Sequence, residues 1–301
     1  MSFNGSNTVE AHLRDHLCGG VTHHTAVGPG LARRSSHISG LGWHDLAPHN
    51  IPRQPQDVFV EPFVRDALIR LNPEIAARPD RAEEVLYELR AILRSARSDG
   101  LVKANEAMTE WFRNDKTMPF GENHEHTAVK LFDFEDVEAN QFIVTPQYRV
   151  QGEGGSVCPD LVLLVNGFPL VVVEAKPPPR PSVTWYDRAV TIRQKYENDV
   201  PELFVCNVLN VASDGRQLRY GSIGMPENLW GPWREVGEAV DPEAASTVTA
   251  ANVGMLAPAV LLDILEHFTL FAVDGKKRLI KVVCRYQQYQ GANLIVDRVV
   301  D

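Results

Sequence analysis

The chain has 301 residues, 44% of them hydrophobic, enough to bury a sizeable core in one large domain or two smaller ones. A formal net charge of -9 argues against a dedicated, high-affinity DNA-binding module, whose phosphate contacts need clustered Lys and Arg, though a nuclease domain can be acidic overall. No apolar run approaches the span of a membrane helix, and Met1-Ser2-Phe3-Asn4-Gly5 lacks the basic-then-apolar pattern of a signal peptide, so a cytoplasmic protein is expected.

Residues 1–56 are rich in His, Gly and Arg, and a short helix is predicted over 7–17 with Gly19-Gly20 as its stop. His12 and His16 share a helix face at i, i+4, but Leu13 stands where a His-Glu-x-x-His site would need its glutamate, so a solvated or pairing role is expected. The four cysteines, Cys18, Cys158, Cys206 and Cys284, lie far apart and read as small buried hydrophobes. Helical periodicity then dominates. One helix is predicted over 58–71, ending before Asn72-Pro73, a second over 80–97 and a third over 101–113.

Strands are predicted over 127–134 and 141–150, followed by a Gly-rich loop at 152–156 that is not a phosphate loop, since neither Gly-Lys-Ser/Thr nor a helix follows it. The run from Pro159-Asp160 to Glu174-Ala175-Lys176 is the most informative in the chain. Two Val/Leu-rich segments flank Asn166-Gly167, the pair that most strongly signals a β-hairpin. Glu174 and Lys176 project from one strand face, because side chains alternate. Asp160 joins them only if the register shifts: a two-residue loop leaves it on the opposite face, whereas a three-residue loop over 166–168, or an equivalent bulge, pairs 160 with 174. That shift is predicted. Two carboxylates with few other protein donors suit Mg²⁺, and a neighbouring lysine suits phosphodiester hydrolysis by charge stabilisation or water orientation.

Pro-Asp, a hairpin and Glu-x-Lys together resemble the PD-(D/E)xK nuclease core, and the run from Pro159 to Lys176 is similar to the signature of the restriction (motor and cleavage) subunit of type I restriction enzymes. The resemblance implies an α/β fold, a central mixed β-sheet flanked by helices, over 57–225. An N-terminal extension (1–56) would precede it, a linker (226–258) follow it, and a helical start of a motor domain (259–301) close the chain. It further implies Mg²⁺-dependent cleavage of double-stranded DNA, with Asp160, Glu174 and the Ala175 carbonyl as metal ligands and Lys176 acting on water or phosphate. Glu10 is a further candidate ligand, with pairing to Arg14 as the simpler role. Modification and specificity subunits are the implied partners.

Behind Lys176, the proline run 177–181 must leave the sheet, and a helix is predicted over 183–196. In the family this helix carries Gln-x-x-x-Tyr. Tyr196 fits, but Ile192 stands four residues before it and Gln194 is the nearest glutamine. A buried strand is expected over 199–215 and a short one at 219–221. The basic run Lys276-Lys277-Arg278-Leu279-Ile280-Lys281 reads as a solvated face. Lys281–Gln290 resembles the adenine-recognition element that precedes a Walker A loop, with Arg285 and Gln288 at the matching positions. No Walker A sequence follows, so ATP use is expected only of a longer subunit of which this is a fragment. Two other readings are a nuclease-fold docking module without turnover, and a motor-less repair or anti-phage nuclease.

Overall fold

The computed structural model describes residues 9–24, 34–175, 183–234 and 249–300. Lys176, the proline run 177–181 and the middle of the expected linker therefore lie outside the described residues. The N-terminal region contributes α1 (Val9–Cys18), a two-stranded ribbon of β1 (Gly20–His24) and β2 (Arg34–Ile38), and β3 (His44–Asp45). Then come α2 (Glu61–Leu71), α3 (Pro73–Ala77), α4 (Arg81–Ser98) and α5 (Leu101–Phe112), close to the helices that periodicity predicts.

Next stand β4 (Thr117–Met118), β5 (Thr127–Ala128), β6 (Phe142–Pro146), β7 (Val150–Gly152), β8 (Gly155–Val157), β9 (Leu161–Val165) and β10 (Phe168–Ala175). They are followed by α6 (Trp185–Val190), a π-helical turn (Thr191–Tyr196), α7 (Glu197–Asp199), α8 (Pro201–Phe204), β11 (Leu209–Ser213) and β12 (Leu218–Gly221). The described chain closes with helix Pro258–His267, the hairpin of β13 (Thr269–Val273) and β14 (Leu279–Val283), and helix Tyr286–Val300.

Six strands form a central mixed sheet in the order β12-β11-β10-β9-β6-β3. Only β10–β11 and β3–β6 run parallel. The expected mixed α/β architecture is therefore present, and β3 draws the N-terminal region into it. Trp43 stacks edge-to-face on Phe142 and donates its indole N–H to the Leu256 carbonyl, tying that region to both the sheet and the C-terminal part. All of β9 and β10 is buried on both faces, which suits their unbroken apolar runs.

The hairpin turn departs from one half of its prediction and meets the other. The loop is the two-residue Asn166-Gly167, with φ of 48° and 88°, and Val165 pairs with Phe168. A bulge between Pro169 and Val171 then inserts Leu170, so Val171 pairs with Leu163 and Val173 with Leu161. One residue further, Asp160 stands opposite Glu174. Leu170 is not idle in the bulge: its carbonyl accepts from the Val208 N–H as the chain enters β11.

The turn is pinned by Asn166, which is fully buried. Its amide donates to the Leu131 carbonyl and to Asn140 Oδ1, both at 2.9 Å, and its oxygen accepts from the Gln141 N–H at 2.8 Å and from Arg70 at 3.2 Å. Gly167 is required by more than its φ, because a Cβ there would lie 2.7 Å from the Val60 carbonyl oxygen.

Other expectations are corrected. Only Thr127–Ala128 of the 127–134 run is strand, and it pairs with β4 away from the central sheet, while Val129, Leu131 and Phe132 fill the core. The Gly-rich loop at 152–156 is the tight hairpin β7–β8. Within 199–215, Pro201 starts a helical turn and the strand begins only at Leu209. The described flanks of 226–258 pack firmly: Trp230 and Trp233 are buried, and Asn252 Oδ1 accepts from the Trp233 N–H at 2.7 Å.

The basic run is solvated only in part. Lys281 is buried and donates to the Asn207 carbonyl, which Asn105 also bonds at 2.9 Å. Glu197, buried likewise, lies within electrostatic reach of Lys281. Its Oε2 takes the Gly224 N–H at 3.1 Å and Arg193 at 3.2 Å. Burial pushes the Glu197 carboxyl up to about 7 against the pull of Arg193, and burial pushes the Lys281 ammonium down to about 7 with Arg113 adding to the shift.

Two outcomes are expected. Asn166→Ala should cost roughly 2–4 kcal/mol in urea unfolding, since it strands several buried partners and leaves a positive φ. Asn166→Gly should lose most of the same amount, because only the φ is relieved; full recovery by glycine would show that the bonds contribute little. Glu197 holds its proton more tightly folded than unfolded, so its contribution is fully present below its ordinary value of 4.5 and is lost as pH rises toward about 7. The stability of wild type relative to Glu197→Gln should therefore fall across that window, by up to about 3 kcal/mol.

Candidate active site

The site is assembled at one end of the β9–β10 hairpin. Pro159-Asp160 leads into β9, and Asp160 is fully buried. Its carboxylate Oδ2 accepts the Ala175 N–H at 3.0 Å, and its own carbonyl accepts the Gln147 N–H at 3.0 Å, with Gln147 held at φ 50°. Glu174, the last buried charge of β10, is 1% exposed, and its Oε1 accepts the Tyr196 hydroxyl at 2.8 Å. Because cross-strand partners share a face, the register set by Leu170 puts both carboxylates on the same side.

Tyr196 reports on both acids. Burial raises its hydroxyl pKa most, and the charges of Glu174 and Asp160 raise it further, so the group stays protonated and stays a donor. Tyr196 ends a π-helical turn, Thr191–Tyr196, closed by i→i+5 bonds, and Ile192, which stands where Gln-x-x-x-Tyr would need its glutamine, is buried. Gln194 points elsewhere, donating to Glu227 at 3.0 Å. Of the two supporting residues expected, Tyr196 thus touches the site and Gln194 does not.

Glu10 lies half-buried on α1, which packs against β3 and β6. Arg14, its expected partner, forms an ion pair with Asp45 at 2.6 Å. His12 and His16 meet edge-to-face with ring centroids 4.8 Å apart, and burial, aided by His12, pushes His16 down to about 4. Arg285 sits 5.2 Å from the Tyr220 ring centroid and donates to the Leu229 carbonyl, while Gln288 Oε1 accepts the Arg285 N–H at 2.8 Å.

Among the described residues no three His, Cys, Asp or Glu side chains gather to hold a metal. The hairpin end offers two buried carboxylates and the backbone of Ala175, all hard oxygen donors. Such a set fits a small divalent cation that keeps several waters and takes further oxygens from phosphate. Asp160, Glu174 and the Ala175 carbonyl include none of the nitrogen or sulfur ligands on which structural zinc sites are mostly built.

What sequence reasoning missed here is the position of the bulge and the amide of Ala175 as the partner of Asp160. Neither leaves a local signal, because Phe168-Pro169-Leu170-Val171 is apolar on every position.

A mixed sheet flanked by helices, with a tyrosine-held acidic pair at a strand end, defines an α/β protein with a candidate hydrolytic centre. The family model described as type I restriction enzyme R protein N terminus matches residues 34–228, and the chain belongs to that family. The type I restriction enzyme HindI endonuclease subunit of Haemophilus influenzae is 32% identical over 285 residues, covering 87% of this chain and 26% of that protein. A Methanocaldococcus jannaschii protein named "Putative type I restriction enzyme MjaIXP endonuclease subunit" is 30% identical over 210 residues, 64% of this chain and 20% of its own length. Its MjaVIIIP counterpart is 20% identical over 271 residues, 88% of this chain and 25% of its own. The chain therefore spans about a quarter or less of the length of these curated relatives.

With the hydroxyl shielded and facing Glu174, Tyr196 should contribute no tyrosinate signal between about pH 9 and 11, so ultraviolet titrations of wild type and Tyr196→Phe should match there.

Proposed function

We propose that this chain is the endonuclease region of a type I restriction subunit and hydrolyses phosphodiester bonds of double-stranded DNA with Mg²⁺ as cofactor. The observation that carries this reading is the Leu170 bulge, which sets Asp160 opposite Glu174 beside the Tyr196 hydroxyl. The names of the relatives, endonuclease subunits, support it. The residue types Asp160, Glu174 and Lys176 support a PD-(D/E)xK mechanism.

Asp160, Glu174 and the Ala175 carbonyl would hold the cation, with Glu10 a further candidate from α1. Mg²⁺, when bound, supplies Lewis acidity at the scissile phosphate and acidifies a coordinated water. Tyr196 keeps the Glu174 carboxylate aimed by donating to one oxygen, and the Ala175 N–H does the same for Asp160. Lys176, next in the chain, would orient the attacking water or neutralise charge that develops on the phosphate. Apolar packing around β9 and β10 lowers the local dielectric and so strengthens the pull of the carboxylates on a cation.

In the longer subunit, cleavage would be coupled to an ATP-driven translocase, with Arg285 and Gln288 reading adenine. Double-stranded DNA and the modification and specificity subunits would be its partners, in the cytoplasm. Among the described residues no single helix is long and apolar enough to cross a membrane.

The test is nicking of supercoiled DNA in Mg²⁺, with and without ATP. Asp160→Ala, Glu174→Ala and Lys176→Ala should each lose at least about 10²-fold in rate, the scale of removing one preorganised electrostatic group. Cleavage equal to wild type in all three would remove these residues from the mechanism. Metal-dependent DNA binding without any nicking by wild type would favour the docking module.

A further inference from the structure

The sheet carries the line of the acidic pair beyond β10. Glu174 pairs with Ala212 on β11, and Ala212 pairs with Arg219 on β12. With Asp160, just ahead of β9, opposite Glu174, the residues Asp160, Glu174, Ala212 and Arg219 form one row on one face. Ala212 places no charge or bulk between the acids and the guanidinium. Two strand spacings separate the Cα atoms of Glu174 and Arg219, about 10 Å.

Arg219 is held against an aromatic pair. Its guanidinium carbon lies 5.6 Å from the Trp185 ring centroid, and Trp185 meets Tyr186 edge-to-face with centroids 5.8 Å apart. Tyr186 is 42% exposed, although its ring has apolar area to bury. The platform is anchored by Asp214, itself buried: Oδ2 accepts the Trp185 N–H at 3.0 Å, while Oδ1 accepts the N–H groups of Arg216 and Gln217 at 2.8 Å. One carboxylate thus ties the start of α6 to the turn that delivers Arg219. A capping box at Thr184 and Asp187 fixes the same helix start.

We propose that Arg219, Trp185 and Tyr186 form a DNA subsite flanking the acidic pair, in which Arg219 takes a backbone phosphate next to the scissile one and the two rings take the adjoining sugar and base. This deepens the nuclease reading and rests on it for the direction of the strand. The chemistry is that of a single-strand contact: a cation for the phosphate, aromatic surface for a nucleotide that the duplex has released or frayed. Arg219 would add a second positive charge beside the one that Lys176 would bring to the acids.

The test uses the full chain and a nicked or frayed duplex in Ca²⁺, read by fluorescence anisotropy over a salt series. Arg219→Met should weaken binding by about 5–10-fold and flatten the slope of log K against log salt by about 1, the signature of one lost phosphate contact. Arg219→Lys should keep the slope. Trp185→Leu should weaken binding by about 5–100-fold with the slope unchanged, as loss of stacking predicts.

Duplexes in which single phosphates are replaced by neutral methylphosphonates provide an arm independent of folding. At one position beside the cut, the replacement should weaken wild type and leave Arg219→Met unaffected. Wild-type slope and affinity in Arg219→Met, or methylphosphonate effects that add to it at every position, would overturn the subsite. Cleavage abolished by Asp160→Ala beside an unaffected Arg219→Met sinks the subsite alone. A slope change in Arg219→Met without any wild-type cleavage sinks the hydrolytic reading and keeps the DNA contact.

Discussion

A single inserted residue decides which face of the sheet Asp160 belongs to. Strand side chains alternate, so a two-residue turn that pairs Val165 with Phe168 would, carried straight on, set Asp160 against Val173 and aim it away from Glu174. Leu170 takes up one position without a partner on β9, and everything beyond it changes sides. The bulge is stable because its groups are used. Its side chain is wholly buried and its carbonyl receives the Val208 N–H, so the irregularity in one strand pair is also the point where the chain docks into the next.

The other end of the hairpin is fixed just as firmly, and by different chemistry. Asn166 satisfies backbone groups at Leu131 and Gln141 and side chains at Asn140 and Arg70, while the Gly167 carbonyl accepts the Val60 N–H where α2 begins. A turn held from several directions cannot slide by one residue. The register that brings the two acids together is therefore determined by contacts to segments far away in the chain as well as by the turn itself.

That division explains what could be read in the residues alone. The hairpin was legible because Asn166-Gly167 and its apolar flanks are local signals, and the need for a shift followed from the spacing of Asp160 and Glu174. The bulge could not be located, since a strand buried on both faces shows no alternation to break. The 127–134 run has the composition of a strand, yet Val129, Leu131 and Phe132 serve the core from irregular backbone, where burial overrides propensity. Lys281 looked like part of a solvated run because what surrounds it, Asn207 and Glu197, lies more than seventy residues earlier. The π turn was hidden for a related reason: the sequence Thr191–Tyr196 has no residue that forbids an ordinary helix.

The same π turn links two buried regions with opposite electrostatic demands. Tyr196 faces the sheet and donates to Glu174, and the next residue, Glu197, faces Arg193, the Gly224 N–H and the field of Lys281. A hydroxyl suits the first place because it can aim a carboxylate without cancelling the charge a cation needs. The second place tolerates a carboxyl only where a cation and a backbone donor offset its burial. Consecutive side chains diverge by roughly a quarter turn around a helix, which lets Tyr196 and Glu197 serve the two places. Displacing Glu197 would therefore move the backbone that presents the Tyr196 hydroxyl, and with it the aim of Glu174, although Glu197 itself makes no contact with the acidic pair among the bonds described.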